Sequence, residues 1–514
     1  MKVLVCFKAV PNWEKVLDED WTVFSPECDV KYAGTSFNCF DESALEMALR
    51  IKDGDGEAVI HAVTVAEFLS APLVETLYAA GFDEVKMIKG DGSEFNSEQV
   101  ALRLFEHAQK EKYDLLLTGI QAGMADTGLV PCYLAHKLGY NYISDVLGIE
   151  AVNGAVTVAQ HDEKGLWERR FSFPAVVSVG NSPAVLRAVN LRQRVAVRGK
   201  SASVFEMSLS DRGVDPNLSR PGSSRILSML TEVEPRLLAA RLLEEFCADS
   251  KASSGKSGQS IPALPDSVNA FCCDEDADLE KLSRFLSKSD LLLLRDTPRG
   301  RMTAVELGVK MNAPVYSGVK ICGFTKDGVL LRKRVCAANL DWEQECSYPL
   351  VLTVFGDIPE WAQPISASKV EMCGELSECL IEPVGESLLS EAKRVIICGA
   401  GVKSRETSGK ARSLAKKLGA SFALTRPAAL CGWGTPDEII GMSGSALSAE
   451  NCLIFGASGA AVFLAGVENA GRIAAVNNDP KALIFQNADL GAVADAAEII
   501  EEMLSLNAEG GGAF

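Results

Sequence analysis

The chain of 514 residues is long enough for about three domains, and its 47% hydrophobic with 23% charged residues is ordinary for a globular protein. A formal net charge of −18 argues against a nucleic-acid partner, which needs a basic surface. No apolar run approaches the roughly twenty residues that span a bilayer, so membrane embedding is not expected.

In chain order, the opening MKVLVCFKAV is too short and too alternating for a signal peptide; it predicts a first strand and a cytoplasmic location. Around Asp114 the sequence runs DLLLTGIQAGMADTGLVPCYLAHKLGYNYISDV, and from Phe171 FSFPAVVSVGN. That pattern predicts a buried strand, a loop, an amphipathic helix from about Leu129, polar strands and a Pro-led apolar strand. The loop Gly119–Pro131 follows a strand and precedes a helix. Open parallel sheets bind ligands there, and helix N-termini attract phosphate. A nucleotide phosphate would fit, with the Thr127 hydroxyl as an extra donor; a plain strand-to-helix turn is the competing reading. Further on, EPRLLAARLLEEF has apolar residues at helical spacing, and SKASSGKSGQS at Ser250–Ser260 is a low-complexity linker, the mark of a fusion joint.

Beyond the linker the first pattern returns as DLLLLRDTPRGRMTAVELGVKMNAPVYSGV around Asp290 and SYPLVLTVFGD from Ser347, at an offset of about 175 residues. Such an offset exceeds solenoid periods and marks a duplicated α/β domain with a mainly parallel sheet. The second copy reads RDTPRGRM where the first has its glycine-rich loop, so at most one twin is expected to keep a phosphate site. A third unit opens near Glu391 with AKRVIICGAG and the helix SGKARSLAKKLG, and ends with GRIAAVNNDPKALIFQNADLGAVADAAEIIEEML. Its turns ICGAGVKS, IIGMSGSA and FGASGAAVF put Gly, Ser and Ala at strand ends, where backbone N–H groups can approach a phosphorylated ligand closely. Arg426 in LTRPAAL would reach the same edge. This suggests dinucleotide binding without the G-x-G-x-x-G fingerprint; an empty α/β domain with small-residue turns is the alternative.

Ser458 in GASGA sits where a nucleophile elbow places its serine, but Ala460 replaces the elbow's second glycine. The four histidines, His61, His107, His136 and His161, all lie in the first third, so no catalytic residue is expected. Fifteen cysteines without a C-x-x-C pair read as buried small hydrophobes in a reducing compartment, with no metal site.

Taken in order, VCFKAVP, NCFDESALEMALRIK, YAAGFDEV, GIQAGMADTG, FPAVVSVGNSP, the arm SLSDRGVDPNLSRPGSSRIL and VNNDPKALIFQNADLGAVAD resemble an electron transfer flavoprotein whose beta and alpha subunits are joined. The resemblance implies a beta-like domain with its arm over 1–248 and a linker over 249–260. A shortened alpha-type N-terminal domain over 261–388 and an FAD-binding domain over 389–514 follow. The fold implied is α/β: two related parallel-sheet, nucleotide-binding-like domains and a doubly wound carboxyl-terminal FAD-binding domain.

By matching positions, FAD would be held by Thr425, Arg426, Ile440, Gly441, Met442, Ser443, Ser458, Gly459, Ala460, Ala461, Val462, Phe463, Asn477, Asp495 and Ala496. In the family Ser443's position gives a hydroxyl to flavin N5, and Arg426 lies against the ring system. A fixed cation and amide donors would stabilise charge built up on reduction. Two positions depart: Val462-Phe463 stands for the family's Gln-His, and Ala400 for its arginine. AMP, or a second FAD as in the electron-bifurcating branch, would be surrounded by Ala9, Asn38, Cys39, Phe40, Asp41, Val63, Gly119, Gln121, Asp126, Thr127 and Gly128.

The family's partner-docking segment is matched by NSPAVLRAVNLRQRVAVRGK, with Ala188 at the leucine anchor and a basic cluster of Arg187, Arg192, Arg194, Arg198 and Lys200; steering an acidic partner and a solvated strand face neutralising nearby Asp and Glu are its two readings. The activity implied is an electron carrier between a flavin-dependent dehydrogenase, for example an acyl-CoA dehydrogenase-like enzyme, and a second redox acceptor. The alternatives are an electron-bifurcating flavoprotein that oxidises NADH and a flavin-free scaffold.

Overall fold

In the computed structural model, the residues described are 1–16, 20, 31–90, 96–152, 155–162, 165–206, 217–221, 223, 225–231, 234–248, 262–274, 289–355, 358–365, 375–383, 389, 392–442 and 444–509. Compactness divides the chain into two units: Met1–Arg220 with Ile261–Pro383, and Pro221–Ser260 with Val384–Phe514. Among the described residues, 221, 223, 225–231 and 234–248 group with the carboxyl-terminal unit. The expected linker and Ser443 lie outside the described residues.

The first repeat runs β1 (Lys2–Cys6), α1 (Cys39–Gly54), β2 (Val59–Val65), α2 (Ala71–Ala80), β3 (Glu84–Lys89), α3 (Ser97–Glu111), β4 (Leu115–Gly119), α4 (Val130–Leu138), β5 (Asn141–Val152), β6 (Ala155–Asp162), β7 (Gly165–Ser172), β8 (Ala175–Val179), α5 (Leu191–Ala196), β9 (Ser203–Glu206) and β10 (Asn217–Ser219). The second repeat runs β11 (Ala270–Cys273), β12 (Leu291–Arg295), α6 (Pro298–Met311), β13 (Val315–Phe324), β14 (Gly328–Val335), β15 (Leu340–Ser347), β16 (Leu350–Val354), β17 (Gln363–Ile365) and β18 (Glu375–Pro383). The buried run LLLTG and the four leucines of LLLLR form central strands because both of their faces are covered. Thr297 caps α6 by accepting from the Gly300 amide at 3.0 Å, ahead of a proline whose missing N–H costs nothing there.

Two sheets result, with orders β9-β3-β2-β1-β4-β8-β5-β6-β7-β18 and β10-β15-β14-β13-β16-β12-β11-β17. The segments β4-β8-β5-β6-β7 and β12-β16-β13-β14-β15 have one topology, so the duplication read from the sequence is present in the fold. Both copies enter the apolar strand through a cis X–Pro bond, Phe173-Pro174 and Tyr348-Pro349. The exposed edge of each copy is closed by the tail of the other. β18 pairs antiparallel with β7, and β10 pairs antiparallel with the equivalent strand β15. Each exchange satisfies edge amides that would otherwise invite foreign pairing.

The second unit holds β19 (Arg394–Cys398), α7 (Arg405–Lys417), β20 (Ser421–Thr425), β21 (Ile439–Ile440), β22 (Asn451–Phe455), α8 (Ala461–Val467), β23 (Arg472–Asn477), β24 (Leu490–Val493) and α9 (Ala496–Glu509). Its sheet is parallel throughout, with strand Ser228–Met229 added beside β24 and the order continuing β23-β22-β19-β20-β21. One face packs on α7, α9 and the Pro235–Cys247 helix through Leu414, Ile499, Leu242 and Phe246. The other face packs on Phe463, Val467 and Ile484.

Candidate functional site

In the first unit, β1 and β4 end at one edge, and their carboxyl ends meet the amino ends of α3 and α4 around a cavity. Its lining includes Lys8, Asp41, Ser97, Thr118 and most of the loop from Gly119 to Pro131, with Ile120, Gly123, Met124 and Leu129 outside it. Asp41 is fixed there by two amides, Lys8 N–H at 2.8 Å and Gly119 N–H at 2.7 Å. Glycine is required at 119, because a Cβ would stand 2.3 Å from the Asp41 carboxylate and 2.7 Å from Phe40. Burial outweighs these bonds and the nearby Lys8 charge, and pushes the Asp41 carboxyl up to about 7.

Of the residues expected from the sequence, Asp41, Gly119, Gln121, Asp126, Thr127 and Gly128 line this cavity. The other five lie outside the lining. Asn38 braces the loop from behind, its Nδ2 donating to the Gln121 carbonyl at 2.8 Å. Ala9 pairs with Phe37 in a short antiparallel ladder, Phe40 and Val63 are buried, and Cys39 is exposed. Lys8 and Ser97 were not singled out in the sequence. Ser97 opens α3 and bonds the Thr127 hydroxyl at 2.6 Å, so that hydroxyl already has a protein partner.

The second repeat fills the equivalent place with its own ion pair. Asp296 accepts from Arg301 at 2.8 and 2.7 Å and from the Thr353 hydroxyl at 2.5 Å. Arg301 and its neighbours hold the Asp296 carboxyl below its ordinary value despite burial.

In the second unit, the strand-end turns interlock through their backbones at the carboxyl edge. Gly401 N–H donates to Gly456 O at 2.9 Å, Met442 N–H to Val462 O at 2.8 Å, and Ile484 N–H to Ser458 O at 3.1 Å. Ser458, Ala460 and Val462 remain exposed, whereas Gly441, Gly459 and Ile440 are buried. Arg426 begins the short helix after Thr425, itself buried, and Met442 and Ala461 are half-buried beside these turns. Asn477 locks the edge, donating to Ala457 O at 2.8 Å and accepting from Asp479 N–H at 2.9 Å. Asp495 accepts from Ala497 N–H at 2.9 Å and meets Lys403 at 3.2 Å, with Ala496 buried behind it. These bonds hold its carboxyl below the ordinary range. Phe463 is 5% exposed and belongs to the apolar core with Ile454 and Ile484.

The basic segment of the first unit divides. Arg187 is spent on Glu46 and Asp53, at 3.0 and 2.8 Å, and Lys200 sits 4.6 Å over the Tyr78 ring. Arg192, Arg194 and Arg198 are exposed, as is Ala188. α5, opened by an Asn190–Gln193 capping box, also presents Leu191 at 77% and Val195 at 62% exposure. Those apolar positions were missed in the sequence; their four-residue spacing was the available signal. Among the described residues no helix is long and apolar enough to cross a membrane, and no cluster of metal-ligating side chains occurs.

Two family models match the chain: an electron transfer flavoprotein domain over residues 30–205 and an electron transfer flavoprotein FAD-binding domain over residues 388–468. Among curated relatives, a lactate dehydrogenase (NAD(+),ferredoxin) subunit LctC of Acetobacterium woodii is 37% identical over 142 residues, covering 28% of this chain and 34% of that protein. A mitochondrial electron transfer flavoprotein subunit alpha of Oryza sativa subsp. indica is 42% identical over 117 residues, covering 23% of this chain and 32% of the relative. Protein FixB of Escherichia coli O1:K1 is 28% identical over 222 residues, covering 41% of this chain and 71% of FixB. The chain thus spans about a third of the length of the first two relatives.

Proposed function

This chain carries two domains of the electron transfer flavoprotein family, and from that premise we propose that it is an FAD-containing electron carrier built as a beta–alpha fusion. It would accept electrons from a flavin-dependent dehydrogenase and pass them to a second redox partner. The observation that carries this reading is the FAD-binding-domain match over 388–468. That span contains the edge turns at Gly441 and Ser458 together with Arg426.

The donor set suits a flavin dinucleotide. Arg426, Lys403, the Ser458 hydroxyl and the turn amides offer positive charge and hydrogen bonds at one sheet edge. FAD, when bound, would supply the electron-transfer chemistry. Arg426 would offset negative charge on the ring system, and the turn 458–460, exposed at Ser458 and Ala460, would hold the diphosphate through N–H groups. Asp495 would fix the position of Lys403. Ser443 is proposed as a hydroxyl donor on the resemblance alone. Phe463 offers no hydrogen bond where the family has histidine, so Arg426 would carry more of the anion stabilisation.

The first-unit cavity would hold AMP or a second FAD. The second possibility gains support from the relative whose name includes NAD(+) and ferredoxin, which favours a bifurcating variant. Purified protein with one flavin per chain and bound AMP supports the carrier. Two flavins support bifurcation. No flavin, even after incubation with FAD, would leave only a scaffold.

A further inference from the structure

The second repeat has an ion pair where a ligand would sit, yet it faces the first repeat's loop with a set of matched donors. Lys333 Nζ donates to the Asp126 carbonyl at 2.8 Å and to the Ser317 carbonyl at 2.7 Å. The Ser317 hydroxyl donates to the Thr127 carbonyl at 2.5 Å. Cys336 N–H reaches the Met124 carbonyl at 2.6 Å, and Ala337 N–H reaches the Asp126 carboxylate at 3.1 Å. Cys336, Ala337 and Ala338 adopt φ of 54°, 52° and 64°, a left-handed run that side chains disfavour. Asn339 holds that run together, its Nδ2 donating to the carbonyls of Cys336 and Ala337 at 2.9 and 3.3 Å. A disfavoured turn kept in place by its own side-chain cap, with two amides on one loop, is built to hold that loop.

The geometry points to the second repeat being a clamp for the first repeat's nucleotide loop, with Lys333 and Ser317 as positioning residues. In a trans peptide the carbonyl and the following N–H point in opposite directions. Pinning the carbonyls of Met124, Asp126 and Thr127 on the clamp side therefore turns the amides of Ala125, Thr127 and Gly128 the other way. Those three residues line the cavity, where such amides serve an anion. The loop itself has left-handed residues at Asp126 (φ 51°) and Gly128 (φ 63°), a shape needing outside support. Arg301, held by Asp296, abuts Gly128 so closely that a Cβ there would lie 2.4 Å from its guanidinium. The ion-paired edge of one twin thus serves as the scaffold of the other's loop.

The ligand role rests on the proposed nucleotide site; the clamp itself does not. The test uses full-length protein and the variants Ser317→Ala, Lys333→Met and Lys333→Arg. Hydrogen exchange of peptides covering 119–131 is read without nucleotide, and AMP binding is then titrated by calorimetry. Ser317→Ala and Lys333→Met are expected to raise loop exchange and weaken AMP binding by about tenfold, the cost of one unmade buried hydrogen bond, with FAD content unchanged. Lys333→Arg, which keeps the charge and donors, recovers part of both. Loop exchange unchanged in both Ser317→Ala and Lys333→Met overturns the clamp. If Lys333→Met does not fold, Ser317→Ala decides alone. A protected wild-type loop that takes up neither AMP nor FAD leaves the clamp standing and removes the nucleotide reading.

Discussion

Asp41 shows how one buried carboxylate links the cavity to stability. Its carboxyl is raised from the ordinary value to about 7 by burial. Protonated, it therefore favours the folded state, and that contribution is complete below the ordinary carboxylate range and lost as pH rises through about 7. Asp41→Asn removes the titration and sets an amide N–H against one of two backbone donors, so it should cost about 1–3 kcal/mol. Urea unfolding of wild type and variant from pH 4 to 8 checks this: the gap between them should change with pH, and a constant gap refutes the assignment. At the other edge, Arg426→Ala should lower FAD retention or make the reduction potential more negative, since a fixed cation favours the reduced, more anionic ring. Bound FAD with an unmoved potential would sink the role given to Arg426. Phe463 shows how far single residues were legible. Its departure from the family histidine is visible in the sequence, but its burial against Ile454 and Ile484 depends on packing that no local pattern encodes. Asp126 is similar. It was legible as a loop residue, while its partners Lys333 and Ala337 lie some two hundred positions away.

At the scale of elements, the sequence was most informative where strands are buried on both faces. LLLTG and LLLLR, each followed by a helix and a Pro-led apolar strand, held one offset and revealed the repeat. The exchanged edges β10 and β18 were not legible, because β10 has only three residues, NLS, and the partners of both strands are remote in sequence. Nor was the helical form of the basic segment. Lacking any buried residue, α5 depends on its capping box for shape, and it carries Arg192 and Arg194 beside the exposed Leu191 and Val195. We expect this helix to dock an acidic surface of the partner dehydrogenase, with Leu191 and Val195 replacing the apolar plug that Ala188 cannot supply. Reversing Arg192 and Arg194 to Glu should slow electron transfer at least several-fold at low salt, and the deficit should shrink at 0.5 M salt, where the Debye length is about 4 Å against about 10 Å at 0.1 M. Flavin reduction rates measured with the cognate dehydrogenase at two ionic strengths decide it; equal rates at low salt would discard the docking role.

At the scale of the whole molecule, each half of the chain contributes to both units. Strand Ser228–Met229 and the Pro235–Cys247 helix, from the first half, complete the carboxyl-terminal unit. There Arg225 pairs with Asp489 at 2.5 Å, and Asn451 donates to the carbonyls of Phe246 and Ala248 at 3.1 and 3.0 Å. Leu238, Leu242, Leu243 and Phe246 are at most 4% exposed, and burying each is worth about 1.5–3 kcal/mol. In exchange, β11 to β18 from the second half complete the first unit, and β18 closes the edge at β7. These two sets of contacts lead us to predict that the halves assemble without a covalent connection. Co-expressed fragments 1–248 and 261–514 should co-purify as a one-to-one complex, as two separate subunits would. Replacing Leu242 and Leu243 together by Ala should weaken that complex, since each buried Leu→Ala change costs about 2–5 kcal/mol. Gel filtration of the fragment pair gives the answer: elution as separate species would mean that the linker, and not the exchanged elements, holds the halves together.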